Sequence, residues 1–209
     1  MLTQFFTIGI LMLLSAMLPG PDFALVTKNT LLHSRRAGLF TVLGITIAVI
    51  IHMTYCILGL AIVISESMLL FNAIKYIGAV YLIYMGITSL LSKHDGNAAS
   101  VALKADSRRK LSDFKAFRQG FLCNLLNPKA TLFFLALFTV IIKPTTPLSW
   151  ELFFAVEMLI IIFAWFASLT LLLSHPTVIR GLNKVEKYIS NMLGIFLIGF
   201  GVALAFISK

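Results

Sequence analysis

Two short polar interruptions in an otherwise apolar chain carry residue types that can do chemistry. The first is Leu-Pro-Gly-Pro-Asp at positions 18–22, and the second is Asn-Leu-Leu-Asn-Pro-Lys at positions 124–129. Each ends in a charge, Asp22 in the first and Lys129 in the second. A carboxylate such as that of Asp22 can bind an ammonium group or a proton. The ammonium of Lys129 can bind a carboxylate, helped by the amides that begin the following helix.

Prolines within these interruptions predict that two helices are broken. A proline inside a helix removes a hydrogen-bond donor and clashes with the preceding turn. Pro19 and Pro21 flank Gly20 in the first interruption, and Pro128 lies in the second. The freed backbone groups cannot face lipid unpaired, so we expect both breaks to face a polar cavity. A kink that serves only packing is the alternative, but two breaks that each carry a charge favour a site.

The polar side chains at the breaks allow two interpretations. An Asp or Lys at mid-bilayer costs about 2.5–3.5 kcal/mol on the insertion scale, so it must face water, a ligand or an opposite charge. Asp22 and Lys129 therefore either bind a ligand or form an ion pair with each other. Asn124 and Asn127 flank the second break, where they can act as ligands or as hydrogen-bonding contacts between helices.

Two further polar residues lie within apolar segments. His52 is midway along the second apolar run, where it either bonds a neighbouring helix or relays a proton. Glu157 lies about two turns into the fifth run, where it either reaches the membrane interface or takes part in binding or coupling. Cys56 and Cys123 form no CxxC pair, so we expect neither a metal site nor a redox cofactor.

These polar residues must be positioned by the apolar segments around them, and composition indicates that those segments are membrane helices. The chain has 209 residues, of which 59% are hydrophobic and 12% charged. This is more apolar than a soluble domain, and about 20 apolar residues in a helix span the hydrocarbon. We therefore predict an all-α membrane protein with six transmembrane helices. They cover residues 2–26, 38–64, 68–91, 121–142, 152–173 and 189–207.

The six helices divide into two halves of a single transmembrane domain over residues 1–209. Residues 1–91 form the first three-helix half, 92–118 a polar cytoplasmic loop, and 119–209 the second half. An odd number of helices inverts the second half, and each half opens with a broken helix, helix 1 and helix 4. Inverted three-helix repeats with broken helices at corresponding places are typical of transporters.

The charge distribution predicts the orientation. Thirteen of the 17 Lys and Arg residues fall in the first, third and fifth joints between helices, and three fall on the opposite side. Basic residues stay in the cytoplasm, so both termini are predicted to be periplasmic. The net charge of +9 is then a topology signal, and no nucleic-acid partner is expected.

The sequence resembles the lysine-exporter (LysE-type) family of amino-acid translocators, in its homoserine/threonine-efflux branch and most of all the threonine exporters. The resemblance covers essentially the whole chain. It implies a multi-pass protein of the bacterial inner membrane that exports a small amino acid, is driven by protons, needs no cofactor and is compatible with a homodimer. The matching stretches are LPGPD at 18–22, LGIT at 43–46, GAVYL at 78–82 with Met85-Gly86, GFLCNLLNPKA at 120–130, Val-Glu and Ala-Trp-Phe within 156–166, and GFG at 199–201.

Other functions remain as alternatives at this stage. Export of another amino acid fits the same pattern, whereas cation export would favour several intramembrane carboxylates, and only Asp22 and Glu157 qualify. A membrane enzyme is disfavoured because the chain has no HExxH or GxSxG motif and no evident nucleophile–base pair, so no catalytic residue is proposed. A structural or assembly protein would not need charges at two proline breaks.

The orientation can be tested with single cysteines at Asn97 and Ser208, placed in a background without Cys56 and Cys123. We expect a membrane-impermeant thiol reagent to label Ser208→Cys in intact cells and to spare Asn97→Cys until the cells are lysed. Labelling of Asn97→Cys alone in intact cells would reverse the orientation.

Overall fold

The computed structural model describes residues 2–18, 20–66, 68–91, 111–141 and 146–173, together with 191–192, 194–195, 198–199, 201–202 and 205–206. Three parts of the sequence predictions fall wholly or largely outside these residues. They are Pro19, most of the loop at 92–118 and much of the sixth span at 189–207.

All regular structure in the described residues is helical, as the composition predicts. The later residues between 191 and 206 are also helical where they are described. The helices are α1 (Leu2–Met17), α2 (Pro21–Leu32), α3 (Arg35–Glu66), α4 (Met68–Leu91), α5 (Asp113–Leu125), α6 (Pro128–Ile141) and α7 (Leu148–Leu172).

Two of these helices are straight candidate membrane spans and four form bent pairs. α3 and α7 are each long and apolar enough to cross a membrane. α1 and α2 join at a break with a bend of 58°, and α5 and α6 join with a bend of 55°. Both breaks fall where the prolines predict them. The described residues thus contain up to four spans by length and composition, and the six-span arrangement remains a prediction.

α3 and α5 lie side by side and run in the same direction. At their first turns, the guanidinium of Arg36 forms a two-point ion pair with the carboxylate of Asp113, with Nη2 2.6 Å from Oδ2. α5 begins at Asp113, before the predicted boundary at 119, because Ser112 caps its first turn by accepting from the amide of Lys115. The starts of α3 and α5 therefore lie at the same end of the molecule.

Glycines permit the close approach of α3 and α5. A Cβ at Gly44 would collide with the carbonyl of Phe117, and one at Gly120 would collide with the carbonyl of Thr41. Small residues at such positions let the backbones of membrane helices pack directly against each other. α4 packs in the same way against the described helical residues between 191 and 206, where Gly86 lies against Gly194.

The remaining contacts relate the two bent pairs to the two straight helices. α3 packs against α5 and α6, and α7 packs against α1 and α2. The buried core between them is rich in aromatic and aliphatic side chains, among them Val49, Phe134, Phe138, Phe154 and Met158. Large apolar side chains cover the outside, as expected of a surface that meets lipid; examples are Leu2, Val80, Ile160 and Phe206.

The glycine contact gives a stability prediction with a control in the same helix. We expect Gly44→Ala to destabilise the protein by about 1–3 kcal/mol, because the added methyl group forces the α3 and α5 backbones apart. Gly59→Ala is the matched control, because a Cβ there meets no described atom within 4 Å. The measurement is thermal unfolding of both purified variants in detergent. Equal melting temperatures would show that the close approach contributes nothing.

Candidate functional site

The two helix breaks meet, and the carboxylate of Asp22 joins them. Gly20 precedes α2, which has Pro21 at its first position and Asp22 in its first turn. The Asp22 Oδ2 atom accepts hydrogen bonds from the side-chain amides of Asn124 at 2.9 Å and Asn127 at 3.2 Å. Residues about one hundred positions apart in sequence are thereby held together by one carboxylate oxygen.

Lys129 makes a second connection between the breaks. Its Nζ atom donates to the carbonyl of Leu18 at 3.3 Å, so an ammonium on the second break satisfies a backbone group freed at the first. A Cβ at Gly20 would lie 3.1 Å from this Nζ, so glycine leaves room for the ammonium. The sequence left open whether Asp22 and Lys129 bind a ligand or pair with each other, and the structure contains no ion pair between them. Both residues are described, and no contact within 4.0 Å joins Lys129 to Asp22.

A small cavity of about 40 Å³ lies between the breaks. Its polar lining consists of Ser15, Asp22, Asn124, Asn127 and Lys129. The rest of the lining is mostly apolar and aromatic; it includes Met12, Phe23, Phe133, Phe134, Ile162 and Phe166. A cavity with both charged and apolar lining suits a small amphiphilic molecule.

Two hydrogen-bond acceptors at this cavity have no donor. The Oδ1 atoms of Asp22 and Asn124 are both buried, and neither has a hydrogen-bond partner among the described residues. The two side chains touch, because the Asn124 amide donates to the other Asp22 oxygen. Buried acceptors without partners are costly, so the pair fits a ligand that brings several N–H donors, such as an ammonium group.

His52 lies behind the cavity and does not line it. Its Nε2 atom is 3.1 Å from the backbone carbonyl of Asn124, near the end of α5 where carbonyls lose their helical partners. Its Nδ1 atom bonds the hydroxyl of Tyr55, and its ring stacks on Phe134 at 5.5 Å between centroids. Of the two sequence interpretations, bonding to a neighbouring helix describes this arrangement.

Glu157 also lies away from the central cavity. It faces a groove between α1 and α7, which contains Phe5, Gly9, Ile161 and Trp165 but none of the residues at the breaks. The second break has its own local structure. Pro128 begins α6, and the side-chain oxygen of Asn127 accepts a hydrogen bond from the Lys129 amide at 3.0 Å. The structure thus brings together all the predicted break residues that it describes. His52 contacts them through the Asn124 carbonyl without lining the cavity, and Glu157 lies apart from them.

Sequence reasoning missed several contributors to this region. Ser15, Phe133 and Phe134 line the cavity, but their apolar helical surroundings look the same as those of packing residues. Asn29 is buried and donates to Thr41 at 2.8 Å and to Gln119 at 3.0 Å, joining α2, α3 and α5. Asn29 follows the predicted first span, beside Lys28 and Thr30, so no sequence signal pointed to this contact. The described residues contain no group of three or more His, Cys, Asp or Glu able to hold a metal ion.

Comparison with known proteins identifies the family of this chain. Residues 13–208 match the family model of the LysE type translocator, so the chain belongs to that family. It is 32% identical to the threonine efflux protein of Salmonella typhi over 98% of both chains. It is 27% identical to the leucine efflux protein of Klebsiella pneumoniae, over 90% of this chain and 88% of that one. No solved structure matches the chain.

The protein is therefore a membrane transporter of a family with amino-acid exporters among its members. It is 33% identical to the uncharacterized membrane protein YrhP of Bacillus subtilis, over 88% of this chain and 90% of that one. The resemblance stated from the sequence motifs is confirmed at the level of the family.

The bond between the breaks can be tested by a double-mutant cycle. Asp22→Ala and Asn124→Ala should each lower the free energy of unfolding, and the double variant should lose less than the sum. The expected coupling is about 0.5–3 kcal/mol, as for residues in direct contact. Asp22→Ala with Asn29→Ala is the control, because Asn29 bonds Thr41 and Gln119 instead. Additivity in both cycles would mean that the Asp22–Asn124 bond has no energetic weight.

Proposed function

We propose that this protein exports a small neutral amino acid, threonine or homoserine first, across the bacterial inner membrane in exchange for protons. The observation that carries the proposal is the pair of buried acceptors without donors at Asp22 and Asn124, with the ammonium of Lys129 at the same cavity. The name of the Salmonella threonine efflux relative supports this choice of substrate.

The arrangement of charges suits a zwitterion. The substrate ammonium donates to Asp22 Oδ1 and Asn124 Oδ1, which are the two acceptors without partners. The substrate carboxylate binds Lys129 Nζ, whose three donors allow it to keep the hydrogen bond to the Leu18 carbonyl. The start of α6 adds a favourable partial positive charge near that carboxylate. Since Asp22 and Lys129 are not paired with each other, binding does not first have to break an ion pair.

Transport requires the cavity to change size. A volume of about 40 Å³ is close to the share of liquid volume of one water, roughly 30 Å³, whereas an amino acid has several times as many atoms. The cavity therefore has to widen to admit a substrate. In the proposed mechanism, the bent pairs α1–α2 and α5–α6 are the moving elements of two inverted three-helix repeats.

The apolar lining of the cavity supports a second candidate substrate. Phe133, Phe134 and Ile162 would contact the substrate side chain, and they suit an aliphatic group such as that of leucine. A relative is named a leucine efflux protein. The hydroxyl of Ser15 on the same cavity favours threonine, because it provides a partner for the substrate hydroxyl.

The proposal is tested by counterflow into proteoliposomes. Wild-type protein should take up threonine and discriminate against threonine amide, which lacks the carboxylate, and against N-acetylthreonine, which lacks the ammonium. Lys129→Ala removes one partner of a desolvated charge pair, which costs about 2–5 kcal/mol. The apparent affinity for threonine should fall by about thirtyfold or more, with little change for the amide. Asp22→Asn should abolish counterflow.

Lys28→Ala is the matched control, because Lys28 is exposed on α2 and does not line the cavity. It should transport as wild type does. If Lys129→Ala still preferred threonine to its amide as strongly as wild type, Lys129 would not bind the carboxylate. If wild-type protein exchanged none of threonine, homoserine or leucine, the proposed function would be wrong.

A further inference from the structure

Glu157 is a half-buried residue whose carboxyl group the proposed substrate site does not use. It lies on α7 and faces α1 in a groove of about 530 Å³ between these helices. Its Oε2 atom is buried and has no hydrogen-bond partner among the described residues. A carboxylate in this position would be expected to have a cation or several donors around it, since an unpaired buried charge is strongly unfavourable.

The second oxygen of the carboxyl group, Oε1, lies against the backbone of α1 at Gly9. A Cβ at Gly9 would lie 2.6 Å from Glu157 Oε1 and 3.4 Å from Cδ1 of Ile161. A side chain at position 9 would displace the carboxyl group, so glycine leaves it room against α1. Glu157 therefore lies at the contact between α1 and α7.

The surroundings of Glu157 offer no charge to compensate an anion. α1 contains no Asp, Glu, Lys, Arg or His between Leu2 and Met17. On α7 the other titratable residue is Glu151, in its first turn and outside the groove. The described residues that line the groove are apolar or aromatic apart from Glu157, the Trp165 indole and the Ser168 hydroxyl; they also include Phe6, Ile10, Leu13 and Ala164.

We propose that Glu157 is the proton-binding site of the transporter, and that the proton controls the closure of α1 on α7. The proposal rests on the proposed function, and it names the residue that binds the coupling proton. The neutral acid fits the apolar groove, whereas the anion requires water. A proton from the outer solution binds the carboxylate when α1 stands away from α7. The resulting carboxylic acid lets the helices close, and the proton passes to the cytoplasm while the transporter is open to the inside, before the helices separate again.

α1 provides a direct link from this proton site to the substrate site. Gly9 of α1 lies against Glu157, and Met12, Ser15 and Ala16, one to two turns farther along the same helix, line the central cavity. α1 then ends at the break that precedes Asp22. Movement of α1 as a rigid helix therefore changes both sites at once, which is the requirement for coupling between two ligands.

The sign of the pH effect follows from this linkage. The closed contact holds the protonated form and the open one allows ionisation, so acid favours closure of α1 on α7 and alkali favours opening. With the predicted orientation, the starts of α1 and α7 face the periplasm, so an acidic exterior closes the outer side after substrate has left. This order matches proton entry coupled to amino-acid exit.

The test uses proteoliposomes loaded with labelled threonine, with and without an acidic exterior. Glu157→Gln keeps the shape of the side chain but cannot release a proton. We expect it to retain threonine counterflow and to lose the acceleration of net efflux by the proton gradient. Glu151→Gln, on the same helix but outside the groove, should keep both activities. A wild-type response to the gradient in Glu157→Gln would overturn the proposal, and so would loss of counterflow at normal insertion.

A second measurement does not depend on transport. Infrared difference spectra of purified protein, recorded as the pH is raised, should contain the band of a carboxylic acid that loses its proton. The band should disappear in Glu157→Gln, shift in Glu157→Asp and persist in Asp22→Asn. Persistence of the band in Glu157→Gln would also refute the assignment. If wild-type protein showed the band but no counterflow of any amino acid, the proposed function would fail while the proton site stood.

Discussion

The rest of this structure depends on the hydrogen bonds that the Asp22 carboxylate accepts from the opposite break. Its Oδ2 atom accepts from two side-chain amides at the opposite break, and its Oδ1 atom is left without a partner. Breaking two helices inside a membrane frees backbone groups that lipid cannot satisfy. The protein solves this by bringing the breaks together, so that Lys129 satisfies the carbonyl of Leu18 and the remaining polar atoms face one cavity. The interactions that make the breaks tolerable thus also create a place for a charged ligand.

The two ends of the molecule close by different means. At the start of α3 and α5, glycines bring the backbones into direct contact, and Arg36 forms an ion pair with Asp113. The exposed fraction of the side chain is 75% for Arg36 and 36% for Asp113. At the start of α1 and α7, the helices instead meet around a carboxyl group that has no partner among the described residues. An exposed ion pair contributes little to stability and is screened by salt. A buried carboxyl group responds to protons. On our proposal, protons therefore control the contact of α1 with α7 and not that of α3 with α5.

The sequence predicted the helical membrane fold, both breaks and the polar side chains that meet there. Proline, glycine and buried charge are strong local signals, because each has a physical cost that only a particular structure offsets. The partners of those side chains were not predictable, since Lys129 bonds a carbonyl 111 positions away and leaves Asp22 to the amides. Glu157 illustrates the same limit: its role depends on Gly9 of another helix, and nothing near position 157 indicates that contact. The aromatic lining of the cavity was missed because Phe133 and Phe134 have the spacing of ordinary packing residues.

The most direct test of the account is the distance from the substrate nitrogen to the Asp22 carboxyl carbon. It can be measured by dipolar recoupling in solid-state NMR, with ¹⁵N-threonine bound to protein that carries ¹³C-labelled aspartate. The account predicts a coupling that corresponds to hydrogen-bonding distance, lost in Asp22→Asn protein, which retains the other three aspartates at positions 95, 106 and 113. Bound threonine with no coupling to any aspartate, or a coupling that survives in Asp22→Asn, would contradict it.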